Sequence, residues 1–203
     1  MHEKLAAFGA HADFLTINVS SPNTAGLRDL QGEKALAALL ARSTAALAAL
    51  DAPRKPALLV KVAPDLDAVA IVAIADVVLS FREAGLAGLV VSNTTITRPA
   101  WLKSAAAAET GGLSGPPVFR LSTDVLASFA RRIDGRIPLI GVGGVASGRD
   151  AYEKIKAGAS LVQLYSALVY EGPGLIGRIK RELADLLRAD GLAHVEDAVG
   201  RDL

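Results

Sequence analysis

Five times along this 203-residue chain a short run of aliphatic and β-branched residues gives way to a longer stretch with helical spacing, and no other feature limits the possible folds as much. The short runs lie around Phe14 to Val19, Ala57 to Ala63, Gly88 to Ser92, Ile137 to Gly141 and Ser160 to Leu164. The helical stretches are Glu33 to Leu50, Asp67 to Ala84, one capped by Ser122 and running to about Ile133, Arg149 to Ala157, and Leu175 to Ala189, followed by a polar tail. Residues 3 to 10 read as the last turns of a further helix. Pro53 and Pro56 close the first full helix, and Gly85 and Gly158 serve only as helix stops. Strands alternating with helices imply a parallel sheet with right-handed crossovers, which a barrel and an open sheet both satisfy.

Composition narrows the function classes. A formal net charge of +1 and 4% aromatic residues supply neither a basic field nor stacking platforms for nucleic acid, so no nucleic-acid partner is expected. With no cysteine there can be no disulfide, iron–sulfur cluster or thiolate zinc site, and His2, His11 and His194 are too scattered to predict a metal centre. Charged residues interrupt the Ala-rich apolar content, and no run reaches the roughly 20 apolar residues of a membrane span. No signal peptide is visible at Met1. The length fits a single domain over residues 1–203.

The polar groups concentrate in one place, at the end of the first strand. Phe14, Leu15, Ile17 and Val19 have the character of a doubly buried strand, Pro22 stops the ladder, and Asn18, Ser20, Ser21, Asn23 and Thr24 crowd the break. Ser-Ser-Pro-Asn alone reads as a turn. Asn18 argues for more, because an amide buried in an apolar strand without a partner costs a few kcal/mol. Lys61 is likewise the one charge in the second strand, and a buried lysine needs either an acidic neighbour or a ligand.

Gly141-Val-Gly-Gly144 after the fourth strand and Tyr165-Ser166 after the fifth match the phosphate site that barrels build from the loops after their last two strands. Paired glycines let backbone N–H groups approach phosphate oxygens, and a following helix N-terminus adds a favourable dipole. This pattern selects the barrel: a TIM (β/α)8 barrel of which about the last five βα units are present, since a whole one takes about 250 residues. The Gly-, Pro- and Thr-rich connection from Thr94 to about Val118 reads as a wall or lid, with Trp101 packing it.

Six segments in order, Asn18 to Arg28, Lys61-Val-Ala-Pro-Asp65, Ser92-Asn-Thr-Thr95, Glu109 to Gly115, Ile140 to Gly144 and Gly158 to Ser166, resemble the quinone-linked class 2 dihydroorotate dehydrogenases of pyrimidine synthesis. The resemblance implies flavin-dependent oxidation of (S)-dihydroorotate to orotate with a quinone as acceptor. It implies Ser21 as the catalytic base, where class 1 relatives carry cysteine, and Asn18, Asn23, Asn93 and Thr94 as substrate-binding residues. It implies flavin mononucleotide (FMN) contacts at Asn18, Lys61, Ser92, Gly115, Gly143, Gly144, Tyr165 and Ser166. Serine is a weak base, so a proton relay through Thr24 or an ordered water is expected. Lys61 is expected beside the N1 and C2 carbonyl side of the reduced flavin.

The family's N-terminal amphipathic segment, first three strands and several flavin and substrate contacts have no counterpart in this chain. Membrane contact, peripheral to a bacterial cytoplasmic membrane or a mitochondrial inner membrane, is therefore expected only through that segment, and the complete protein is expected to be a monomer. Two alternatives follow: a truncated, non-catalytic piece of such an enzyme, or another FMN barrel acting on a dihydropyrimidine, which would be expected to use cysteine.

Overall fold

The computed structural model describes residues 7–203. Five parallel strands, β1 (Phe14–Asn18), β2 (Ala57–Val62), β3 (Leu86–Val91), β4 (Leu139–Val142) and β5 (Leu161–Gln163), form one sheet in the order β1-β2-β3-β4-β5. The helices between and after them are α1 (Glu33–Ala48), α2 (Ala68–Ser80), α3 (Phe119–Ile133), α4 (Gly148–Lys156), α5 (Ser166–Glu171) and α6 (Gly174–Ala189). A strand order that never reverses, with crossovers of one hand, puts the helices on one face and bends the sheet into an arc of a (β/α) barrel. A doubly wound sheet would need a switch point, and there is none.

Side-chain alternation then divides the sheet. Ile17, Leu58, Val60, Val62, Leu89, Val91 and Leu139 point outward and pack with Leu36 and Leu40 of α1, Ile74 and Val78 of α2, and Leu126, Phe129 and Ile133 of α3. Each fully buried aliphatic side chain there stabilises the fold by about 1.5–3 kcal/mol. The concave face carries a small cluster of Leu59, Val90 and Ile140. The register sets Asn18 beside Lys61, Lys61 beside Val90, Val90 beside Ile140 and Ile140 beside Leu161, so Asn18 and Lys61 both belong to this concave face.

Several expectations need correction. β1 is not doubly buried: Phe14 is 54% exposed and Asn18 is exposed, because among the described residues β1 is an edge strand whose concave face is uncovered. Ser122 does not cap α3, which starts at Phe119 with Val118 at the cap; Ser122 is fully buried one turn in. The ladder of the fourth strand begins at Leu139 rather than Ile137, and Ser166–Glu171 forms an unexpected short helix. Of the helix read over residues 3 to 10, residues 3–6 lie outside the described residues, as does His2; Ala7 and Phe8 are helical and a 3-10 turn covers Gly9–His11. The polar tail is tied down: Gly200 and Asp202 donate backbone N–H bonds to the carbonyls of Ile155 and Lys156, and Ala198 is buried beside Tyr152 and Ile155.

Among the described residues no helix is long and apolar enough to cross a membrane, and no cluster of His, Cys, Asp or Glu could hold a metal ion.

Candidate active site

The strand ends converge on one cavity of about 310 Å³, within the range of small-molecule sites. Lys61 from β2 and Ser92, Asn93 and Thr94 after β3 line one part of it; Gly115, the Gly143–Gly144 turn after β4, and Tyr165 and Ser166 after β5 line the rest. Asn18, Ser21, Asn23 and Thr24 are not among the lining residues. Asn18 is joined to the cavity wall by hydrogen bonds: its Oδ1 accepts from Ser20 Oγ at 2.7 Å and from Asn93 Nδ2 at 3.3 Å. Asn93 Nδ2 also donates to Ser20 Oγ at 3.0 Å, and its Oδ1 accepts from the Thr94 N–H at 2.8 Å. Fully buried Ser20, not the exposed Asn18, is thus the centre of this polar network.

Ser21 is half-buried, and among the described residues its Oγ accepts only from the Asn23 N–H, at 3.3 Å. Thr24 is exposed, and its hydroxyl makes no hydrogen bond to Ser21. Lys61 is half-buried and forms no ion pair or hydrogen bond among the described residues. Burial pushes its pKa below the ordinary lysine value. The acidic side chain nearest in sequence, Asp65, is committed elsewhere.

That commitment was not legible in advance. Arg28 donates to Asp65 Oδ2 at 2.8 Å, to the Ser20 carbonyl at 3.1 Å and to the Thr94 carbonyl at 3.0 Å. Asp65 also accepts from the Thr95 and Thr97 hydroxyls and the Ile96 N–H. Burial raises the Asp65 pKa, but these hydrogen bonds outweigh it and hold the carboxyl below its usual value. Arg98 fixes the long connection by donating to the carbonyls of Ala107, Glu109 and Gly111 at 2.8–3.0 Å. The connection turns back through a Thr95–Leu113 bridge and closes on the β1 loop: a Cβ on Gly112 would lie 1.9 Å from Thr94 Oγ1 and 3.0 Å from Pro22 Cγ. Only glycine permits that approach.

At the other end, Gly143 and Gly144 both have positive φ, 118° and 75°, and a Cβ on Gly144 would sit 2.8 Å from the Phe119 Cα. A Cβ on Gly115 would meet nothing closer than 3.8 Å, so it would occupy space at the cavity lining. Ser166 Oγ donates to Ser114 Oγ at 2.9 Å and joins the β5 loop to the wall. The helix that follows the Gly-Gly turn does not offer a free N-terminus as expected. Ser147 Oγ accepts from the Asp150 N–H, Asp150 from the Ala146 N–H at 2.9 Å and Glu182 from the Gly148 N–H at 2.6 Å, which leaves acidic side chains on that helix end.

The comparisons agree with this geometry. The family model described as dihydroorotate dehydrogenase matches residues 1–187. A dihydroorotate dehydrogenase (quinone) of Azorhizobium caulinodans is 55% identical over 95% of this chain and 54% of its own length. The mitochondrial dihydroorotate dehydrogenase (quinone) of Mus musculus is 52% identical over 98% of this chain and 50% of its own. A crystal structure of DHODH from Eimeria tenella in complex with ferulenol superposes with a TM-score of 0.93 at 39% identity, over 99% of this chain and 57% of that one. The chain spans about half the length of the curated relatives it matches. With the family model covering nearly all of the sequence, the chain belongs to the dihydroorotate dehydrogenase family.

Proposed function

We propose that this chain supplies the flavin and substrate site of a quinone-linked dihydroorotate dehydrogenase, oxidising (S)-dihydroorotate to orotate in pyrimidine biosynthesis. The observation that carries the reading is one cavity that has at one part a lysine unpaired among the described residues and at another a Gly-Gly turn. The residues fit FMN: Lys61, a cation without a counter-ion among the described residues, sits beside the apolar Leu59, Val90 and Ile140 cluster of the concave face, and Gly115 leaves open the space a side chain would fill. The backbone at Gly115, Gly143, Gly144, Tyr165 and Ser166 would hold the phosphate, with Asn18, Lys61 and Ser92 toward the ring. Bound there, the flavin supplies the hydride acceptor.

The chain's own residues do the rest. Asn18, Asn23, Asn93 and Thr94 offer both donors and acceptors to the amide edges of dihydroorotate. Ser21 Oγ takes the proton from the ring carbon beside a carbonyl, and Thr24 or a water passes it on. The Lys61 ammonium lies on the concave face, where it favours negative charge on a neighbouring ring. Quinone contact and peripheral membrane attachment are assigned to the part of the relatives that this chain does not span.

The test is to titrate the chain with FMN, following quenching of flavin fluorescence, and then to add dihydroorotate without oxygen. Quenching followed by bleaching of the flavin absorbance is expected, and Ser21→Ala should retain quenching while losing the bleaching. Flavin that stays free at high protein concentration would overturn the reading. In the parent, a Thr24→Val bleaching rate equal to the original would take Thr24 out of the relay.

A further inference from the structure

Behind the Gly-Gly turn, on the side away from the cavity, lies a lysine for which the reaction has no use. Lys154 on α4 has 0% of its surface exposed, yet among the described residues it forms no ion pair. Its Nζ donates to Ser122 Oγ at 2.6 Å, lies 3.4 Å from the Phe119 carbonyl and sits 4.9 Å above the Phe119 ring. A buried ammonium with one hydroxyl, one distant carbonyl and a ring face for company is undercompensated, since lysine almost never lies fully buried unless paired.

The hydrogen bonds continue from the lysine to the turn. An ammonium has no lone pair, so Ser122 must accept from it and turn its own proton to a carbonyl, Phe119 at 3.0 Å or Gly143 at 3.3 Å. A trans peptide carries its C=O and N–H on opposite sides. Holding the Gly143 carbonyl toward Ser122 therefore turns the Gly144 N–H the other way, and that N–H has no hydrogen-bond partner among the described residues. Gly143 and Gly144 both line the cavity.

We propose that Lys154 is a positioning residue for a phosphate group on the Gly143–Gly144 turn: through Ser122 it sets the plane of the turn's peptide, and its ammonium is the buried counter-charge of the bound anion. The proposal rests on the flavin reading above and names the residues behind its phosphate end. It also accounts for the missing partner, because the compensating charge arrives with the ligand. Burial pushes the Lys154 pKa down to about 7, against the upward pull of Asp124 on α3 and of Asp150 and Glu153 on α4, the charged groups acting on it. A neutral amine can accept the Ser122 proton, which frees the Gly143 carbonyl and removes the charge. A phosphate dianion on the turn should favour the ammonium, so phosphate binding should weaken as the pH rises.

The experiment measures binding of FMN, riboflavin and inorganic phosphate by the whole chain, from about pH 7 to about pH 9.5, above the second phosphate pKa near 6. Riboflavin shares the ring and lacks the phosphate. The FMN dissociation constant should rise on the order of tenfold more than that of riboflavin across this range, the excess being the pH response assigned to Lys154. Inorganic phosphate should raise the melting temperature at the low end only. K154M should bind FMN at neutral pH as weakly as the parent does at the alkaline end, with riboflavin unaffected, and K154R should restore affinity and abolish the pH response. Parallel FMN and riboflavin profiles in the parent overturn the proposal, whether or not K154M folds, and leave the flavin reading standing. Binding of neither flavin nor phosphate overturns both.

Discussion

Arg28 and Asp65 meet at 2.8 Å, and through them the loops after β1, β2 and β3 become one unit. The Arg28 guanidinium spans from the Ser20 carbonyl to the Thr94 carbonyl, and Asp65 collects the Thr95 to Thr97 segment. The side chains are only 20% and 13% exposed, so removing one partner leaves the other with its charge largely out of water. Arg28→Met should cost about 2–4 kcal/mol in urea unfolding. It should also raise hydrogen exchange over residues 94–118 well above that of the rest of the chain. Equal exchange in that segment would mean Arg98 alone holds it. Because the Asp65 pKa is held low, the tie is complete above the unfolded carboxyl value of 3.8 and is lost as the pH falls through its folded value.

The glycine turn gives a graded series. Gly135 has φ +67° with nothing within 4 Å of a Cβ, so Gly135→Ala bears only the backbone penalty, about 1 kcal/mol. Gly144→Ala adds collision with the Phe119 backbone at 2.8 Å and should cost about 2–4 kcal/mol in thermal or urea melts. If the two variants melt together, the turn yields more easily than its packing against Phe119 indicates.

Lys154 predicts an unusual pH dependence of stability. Its folded pKa of about 7 lies below the unfolded value of 10.5, so between these values the unfolded state binds more protons. Stability therefore rises with pH across that window, and the cost of burying the charge is fully present below about pH 7. Replacement by Met removes that cost at every pH. The stability of Lys154→Met relative to the parent should be most favourable below pH 7 and should fall as the pH approaches 10.5, measured by chemical denaturation. A constant difference would mean the lysine titrates alike in both states.

What could be read from the sequence depended on whether the signal was periodic or local. β2 and β3 are nearly continuous aliphatic runs between turn residues, so the order of elements and the barrel arc were accessible, as was the Gly143–Gly144 turn beside its strand. Asn18 was expected to be buried because its neighbours are apolar, but burial of β1 depends on what lies beside that strand, which its own residues do not encode. Ser122 looked like a helix cap because serine prefers caps, yet the Pro116–Val118 turn starts the helix earlier and drives Ser122 inside. Arg28, Arg98 and Lys154 act through partners 8 to 66 residues away, as the Arg28 bonds to Ser20 and Thr94 illustrate, and such pairings carry no periodic mark.

Lys61 separates stability from function most sharply. Its register neighbours are Asn18 and Val90, neither of them acidic, and burial lowers its pKa without any compensating carboxylate. A desolvated cation of this kind costs folding free energy, so Lys61→Met, which keeps the length of the stem and drops the charge, should stabilise the chain by up to about 1 kcal/mol. The gain should shrink as the pH rises toward 10.5, since the lowered folded pKa makes the parent itself more stable there. Flavin affinity should move the opposite way, with FMN and riboflavin weakened alike, since the proposed function assigns the lysine to the ring rather than the phosphate. That common loss distinguishes Lys61 from Lys154, whose removal should affect FMN alone. A Met variant that melts lower than the parent would mean that Lys61 is held by the protein, and its assignment to the flavin would fall.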